Sequence, residues 1–232
     1  VTIKDAEIFI PELDARQNAT INVVDSIVRD AGGNSIVKSY YNGAINISGT
    51  SKVYTMQVTT MGYITVSGDA ELNATWQTNV YGNGMIVVEN GATFNTAALH
   101  LTGQDYSGRD NTDADRVGKP ATIVVDGATF TVGKVYSDNG ADYSYNSSKG
   151  INIGTVAGKN AVLDVKNGAT VNIFMANGET ANIGAGGLVN VNDSALNVAC
   201  RGEGSVNLAN AGKIALTSVN ATLTAPETTG VV

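Results

Sequence analysis

A short unit recurs along this 232-residue chain, and it constrains the fold more than any other feature. Each copy has an apolar strand, a corner of Asn, Asp, Gly or Ser, a small residue and a second short strand. Gly and Asn tolerate the positive φ that tight corners need, while Val, Ile and Thr favour the flanking strands. Such self-similarity is typical of stacked repeat architectures. The copies span 64–72, 86–94, 123–130, 162–171, 188–196 and 214–223.

The copies can be aligned on the apolar residue that follows the corner. With weaker copies near the N-terminus included, the alignment contains Ile8, Val28, Val53, Leu72, Phe94, Phe130, Val171, Leu196 and Leu223. Successive members are 19 to 27 residues apart, except for two intervals of 36 and 41 residues. The common spacing suits one coil of a β-solenoid, which buries its inward side chains only when neighbouring coils stack on it. Polar stretches at 105–119 and 137–149 account for the longer intervals and predict loops that leave the coil.

These patterns predict an all-β fold, specifically a right-handed parallel β-helix of about nine coils. Residues 1–232 would form a single solenoid domain with inserted loops at about 105–119 and 137–149. No long segment has the 3.6-residue period of a helix. An antiparallel β-sandwich is the alternative, because strand-Asn-Gly-strand is also the strongest hairpin signal. We favour the solenoid, since a sandwich rarely needs one corner motif so often at near-constant spacing.

The tripeptide Asn-Ile-Gly opens two similar segments, 152–158 and 182–187, and an apolar strand follows each of them. Together with the strand 161–165 and the corner 167–171, these segments resemble the repeats of bacterial autotransporter passenger domains. Similar repeats also occur in other large bacterial surface proteins. The resemblance implies a right-handed parallel β-helix exported to the bacterial cell surface. We therefore expect an extracellular location and a chain that is part of a longer surface protein.

Charge and residue counts exclude several classes of partner and site. The chain has 14 Lys and Arg against 21 Asp and Glu, a net charge of −7, whereas nucleic acid requires a basic surface. The lone cysteine, Cys200, excludes an internal disulfide framework, and the lone histidine, His100, excludes a multi-histidine metal site. No apolar run approaches the roughly 18 residues of a membrane-spanning helix. We expect no nucleic-acid binding and no membrane insertion by this segment.

The acidic loop at 105–119 contains the candidate metal ligands. Asp110, Asp113 and Asp115 bring several hard oxygens close together in sequence, as calcium prefers, although the spacing is not that of an EF-hand. Arg109 and Arg116 could neutralise these carboxylates instead, so a solvated polar loop is the alternative. Calcium is the one cofactor that the sequence suggests.

Tyrosines in and beside the second insertion are the candidate ligand-binding residues. Tyr136, Tyr143 and Tyr145 cluster there and could stack on sugar rings. The alternative is that they cover the hydrophobic wall of the coil.

The predicted function is that of an extracellular structural or adhesive module that displays loops on a rigid β-helical stalk. Its partners would be host or matrix glycans or surface proteins. Unpaired strands at the ends of the stack could also join copies end to end into filaments or a surface layer. We expect no enzymatic activity. The alternative is a polysaccharide lyase or glycoside hydrolase of the pectate-lyase-like β-helix type, with candidate residues Asp110, Asp113, Asp115, Arg109 and Arg116.

Overall fold

The computed structural model describes residues 1–106, 108–136, 142–144, 150–175, 180–200, 205–208 and 212–224. These residues form 26 β-strands, and no helix occurs among them. The strands are β1 (Thr2–Lys4), β2 (Glu7–Ile10), β3 (Glu12–Arg16), β4 (Thr20–Val24), β5 (Ile27–Asp30), β6 (Ile36–Tyr40), β7 (Ala44–Ser48), β8 (Lys52–Thr60), β9 (Tyr63–Ser67), β10 (Glu71–Val80), β11 (Met85–Glu89), β12 (Thr93–Thr96), β13 (Leu99–Leu101), β14 (Ala121–Asp126), β15 (Thr129–Val132), β16 (Lys134–Tyr136), β17 (Asp142–Ser144), β18 (Ile151–Ile153), β19 (Ala161–Lys166), β20 (Thr170–Met175), β21 (Thr180–Ile183), β22 (Gly187–Asn192), β23 (Ala195–Cys200), β24 (Ser205–Leu208), β25 (Lys213–Leu216) and β26 (Thr222–Thr224).

Two large sheets contain nearly all of these strands. The first ladder is a nine-stranded sheet in the order β1-β4-β7-β9-β11-β14-β19-β22-β25. A fifteen-stranded sheet contains two further ladders, which share the long strands β8 and β10. The second ladder runs through β2, β5, the first halves of β8 and β10, β12, β15, β20, β23 and β26; the third runs through β3, β6, the second halves of β8 and β10, β13, β18, β21 and β24.

The chain visits the first, second and third ladders in turn and then returns to the first. We call one such passage a level and number the levels by the strands of the first ladder, so that level 1 begins with β1 and level 9 with β25. Within the described ranges, every pairing in the two large sheets is parallel. The all-β prediction is confirmed, and the two many-stranded parallel sheets are consistent with the β-helix class.

The residues aligned in the sequence are direct neighbours in the second ladder. Ile8 pairs with Val28, Val28 with Val53, and Val53 with Leu72. From Leu72 onward the partners continue in the predicted order through Phe94, Phe130, Val171, Leu196 and Leu223. The register of this ladder is therefore the one that the repeat alignment predicts.

Apolar side chains of successive levels stack to form the core. In the first ladder Ile64, Ile86 and Ile123 are consecutive partners, and none of them is exposed to solvent. In the second ladder the rings of Phe94 and Phe130 stack with their centroids 5.1 Å apart. Inward side chains between the two ends of the stack are thus covered by the levels above and below them, which is how stacked repeats bury a continuous core.

The two predicted insertions differ in structure. Residues 105–119 lie between β13 and β14 and contain no strand where they are described. In the second insertion, β16 and β17 pair as an antiparallel hairpin, so residues 142–144 form a strand where a loop was expected. The strand β16 also lies against β10, β12 and β15.

Candidate functional site

Asn83 anchors the acidic loop to the turn that follows β10. Its Nδ2 donates to the carbonyl oxygens of Asn111 at 2.7 Å and Arg116 at 2.8 Å, and its Oδ1 accepts from the Asn111 amide at 2.8 Å. The Asn83 side chain is buried together with Asn111. Because a buried amide is costly to leave unpaired, these bonds hold both ends of the segment 111–116 close to the sheets.

Arg116 closes the same loop by binding main-chain carbonyl groups. Its Nε donates to the oxygen of Asn83 at 2.9 Å, and its Nη2 donates to Pro120 at 2.5 Å and lies 3.4 Å from the oxygen of Gly84. Burial lowers the pKa of the Arg116 guanidinium. Oriented carbonyl dipoles therefore solvate this buried cation, whereas the sequence analysis considered it a partner for carboxylates.

The loop also reaches back to earlier levels. The Thr112 amide donates to Oδ1 of Asn42, which lies in the turn after β6, at 2.9 Å. The Tyr63 hydroxyl of β9 donates to Oδ2 of Asp113 at 2.9 Å. Burial, followed by the hydrogen bond to Asp113, raises the pKa of Tyr63. Residues 109–116 thus lie across the turns of several levels and form a strap.

The structure puts the three candidate calcium ligands in different surroundings. Asp113 accepts hydrogen bonds from Tyr63 and from the amide of Asp115, Asp115 is exposed, and Asp110 lies in a cleft described below. Within the part of the chain that the structure describes, no group of three or more His, Cys, Asp or Glu side chains is arranged to hold a metal ion. Calcium binding by these residues remains a prediction.

A cleft of about 420 Å³ opens between the acidic loop and the turn 154–160. Asp105, Asp110, Lys119 and Lys159 supply its charged side chains. Lys159 Nζ lies 2.5 Å from Oδ2 of Asp105, which forms an ion pair. The cleft therefore combines two carboxyl groups and two ammonium groups within one concave surface.

Asp110 is the titratable group of the cleft with the most perturbed environment. Its Oδ1 is buried with no hydrogen-bond partner, and an added Cβ on Gly82 would lie 1.9 Å from that oxygen. Burial and then the charge of Asp105 raise the pKa of Asp110, while Lys159 opposes the shift. Asp110 therefore holds its proton to a higher pH than an exposed aspartate does, which is the direction of shift that favours a general acid.

The hairpin contains two of the three candidate tyrosines. Tyr136 of β16 is opposite Asp142, and Tyr143 of β17 is opposite Val135. Tyr145 lies outside the described residues. Sugar binding by these tyrosines remains a prediction.

An aromatic cluster that the sequence did not predict lies at the start of the acidic loop. The rings of Tyr81 and Tyr106 stack with their centroids 5.5 Å apart and an interplanar angle of 13°. The Arg109 guanidinium lies 5.7 Å from the ring centroid of Tyr106 and 5.3 Å from that of Tyr40. Tyr106 and Arg109 are close in sequence, but no local pattern connects them with Tyr40 and Tyr81, which lie at least 25 residues before Tyr106. Only the predicted stacking of copies would have brought Tyr40 and Tyr81 to the loop.

No family model matches the chain, and no curated protein or solved structure is significantly similar to it. A helix long and apolar enough to cross a membrane is absent from the described residues.

Proposed function

We propose that the chain is a single-domain, right-handed parallel β-helix that serves as an extracellular structural and adhesive module of a bacterial surface protein. The observation that carries the proposal is the register of the second ladder, in which aligned apolar residues from nine copies of the repeat are consecutive partners. A continuous stack of this kind suits a stiff stalk. Stacked levels about 4.8 Å apart would make a rod roughly 40 Å long.

The strap supports the proposal that the stack displays a loop to a binding partner. Its bonds to Asn42, Tyr63 and Asn83 connect the inserted loop to two turns and to the start of β9. A loop that is bound in this way presents a defined surface to a partner and loses little conformational entropy on binding. The partners that we propose are host or matrix glycans or surface proteins, with end-to-end assembly of the chain as a further route to a filament or surface layer.

The test is adhesion of the purified chain to immobilised glycans and matrix proteins. The matched variant has residues 105–119 replaced by a short Gly-Ser linker, and circular dichroism checks that its β-structure is retained. We expect the intact chain to bind at least one class of surface ligand. Failure of the intact chain to bind any of them would contradict the adhesive role, and light scattering at rising concentration would test self-assembly separately.

A polysaccharide lyase or glycoside hydrolase is the second candidate, and the cleft is the observation that favours it. Asp110, whose pKa is raised, lines the cleft together with a second carboxyl group, Asp105, and glycoside cleavage uses a pair of carboxyl groups. Turnover of a polysaccharide by the intact chain, lost in Asp110→Asn, would establish this activity and contradict a purely adhesive role. Absence of turnover in both proteins would leave the adhesive module as the function.

A further inference from the structure

A row of planar polar side chains follows the outward face of the third ladder. Asn79, His100, Asn152 and Asn182 occupy the same column at levels 4 to 7 and are consecutive Cα partners. They alternate along their strands with buried apolar residues such as Leu99 and Leu101, so they lie on the opposite face from the core.

Hydrogen bonds between levels hold this row in line. Asn182 Nδ2 donates to Oδ1 of Asn152 at 3.3 Å, and Asn152 Nδ2 lies 3.4 Å from Nδ1 of His100. At level 4, Asn79 Nδ2 donates to Oγ1 of Thr59 at 3.4 Å. A side-chain amide has two donor hydrogens and two acceptor lone pairs, so Asn152 keeps capacity to bind a ligand after it makes these bonds.

A groove of about 270 Å³ lies over the first part of this row. Its lining consists of Gln77, Asn79, Tyr81, His100, Thr102 and Gln104. Tyr106, whose ring stacks on that of Tyr81, is 44% exposed and extends the aromatic wall towards solvent. The groove therefore combines an aromatic face with amide, imidazole and hydroxyl groups at a regular spacing of about 4.8 Å per level.

We propose that this groove binds a neutral polysaccharide chain that lies along the ladder axis. This inference names the ligand class of the adhesive function proposed above, and it rests on that function. Amide and hydroxyl groups match sugar hydroxyls as donors and acceptors, and the tyrosine rings match the apolar faces of the sugar rings. The level spacing is comparable to the length of one pyranose unit, so successive sugars can meet successive levels. None of the lining residues is Lys, Arg, Asp or Glu, and the net charge of −7 disfavours an acidic polymer.

The experiment measures binding of the full chain to cellohexaose and mannohexaose by calorimetry, with oligogalacturonate as the acidic comparison. The test variants are Tyr81→Ala, in the lining of the groove, and Asn152→Ala, next to the lining residue His100 in the row. The matched control is Asn46→Ala, because Asn46 is also a half-buried outward asparagine that bonds to the neighbouring level, through Asn22 at 2.9 Å in the first ladder. Circular dichroism and urea unfolding verify that all variants are folded.

We expect at least one neutral hexasaccharide to bind, each test variant to weaken binding at least about tenfold, and Asn46→Ala to leave it unchanged. Equal affinity of the wild type and both test variants would contradict binding in the groove, while adhesion through another surface would stand. Tighter binding of oligogalacturonate than of either neutral hexasaccharide would contradict the proposal that the ligand is neutral. If the chain binds matrix proteins but neither neutral hexasaccharide, this inference alone is overturned. If the chain binds none of the ligands tested, the adhesive function is overturned as well.

Discussion

Gly154 shows at the scale of one residue why the Asn-Ile-Gly segments need glycine. Its φ is +59°, and an added Cβ would lie 2.1 Å from the amide nitrogen of Gly187 in the next level. Gly158 has a φ of +72° but has open space around it. The two glycines therefore separate the cost of the backbone conformation from the cost of close approach between levels.

We predict that Gly154→Ala destabilises the protein more than Gly158→Ala. The left-handed conformation alone should cost about 1 kcal/mol at Gly158, and the clash should raise the loss at Gly154 to about 3 kcal/mol. Urea unfolding of both variants measures the difference. Equal losses would mean that the two levels do not approach each other as described.

The pKa of Asp110 predicts how stability depends on pH. Because burial and the charge of Asp105 raise this pKa above its unfolded value, the folded state disfavours the ionised carboxyl. The destabilisation reaches its full size above the pKa that Asp110 has in the folded state. It vanishes below the pKa of the unfolded state, which lies near 3.9. We expect Asp110→Asn to increase the free energy of unfolding relative to wild type at pH 7, with a smaller difference at pH 4. Urea titrations at both pH values test this, and a difference that grows at pH 4 would contradict it.

At the scale of elements, the acidic loop could be located from the sequence but its conformation could not. The long interval between Phe94 and Phe130 indicates that residues have been inserted. The anchors Asn42, Tyr63 and Asn83 belong to other copies of the repeat, and nothing in their local sequence marks them as partners of the loop. The second insertion posed a similar problem, since the three-residue strands β16 and β17 are too short to show a periodic pattern.

Arg116 should be the main attachment of the strap. In Arg116→Gln the carbonyl groups that the guanidinium binds lose their donors in a buried environment, so we expect a loss of about 2 kcal/mol in the free energy of unfolding. Lys119→Gln is the control, because Lys119 is an exposed cation of the same loop. Chemical denaturation of both variants gives the comparison, and an unchanged stability of Arg116→Gln would show that the strap does not depend on this residue.

At the scale of the whole molecule, the second ladder was the most predictable part. Its column of aligned residues is apolar at every level, because each residue between the two ends is covered by the one above and the one below. At two levels no corner marks the third ladder, because β8 and β10 each continue into it as one strand, with a shift of register between Ala74 and Gln77 in β10. The burial of side chains on the outward faces was the least predictable feature. Asn73 and Asn95 are polar, yet they are only 0% and 2% exposed, and the strand β16 lies against the strands that contain them.

A matched pair of leucines tests how burial depends on position in the stack. Leu72 has partners on both sides and is not exposed, whereas Leu223 has one described partner, Leu196, and is half-buried. We expect Leu72→Ala to cost about 3 kcal/mol and Leu223→Ala about 1 kcal/mol. Thermal or urea unfolding measures both losses, and an equal or larger loss at Leu223 would contradict the shared core.

The parallel stacking of copies is tested most directly by disulfide formation in a Cys200→Ser background. Val162 and Leu188 are Cα partners in the first ladder, about 4.8 Å apart if the strands are parallel neighbours, which is within disulfide reach. A two-residue Asn167-Gly168 hairpin would instead bring Val162 opposite Ile173. We predict that oxidation cross-links Val162→Cys with Leu188→Cys and leaves the Val162→Cys, Ile173→Cys pair as free thiols, as read by mass spectrometry. A cross-link in the second pair and none in the first would contradict the fold and the function built on it.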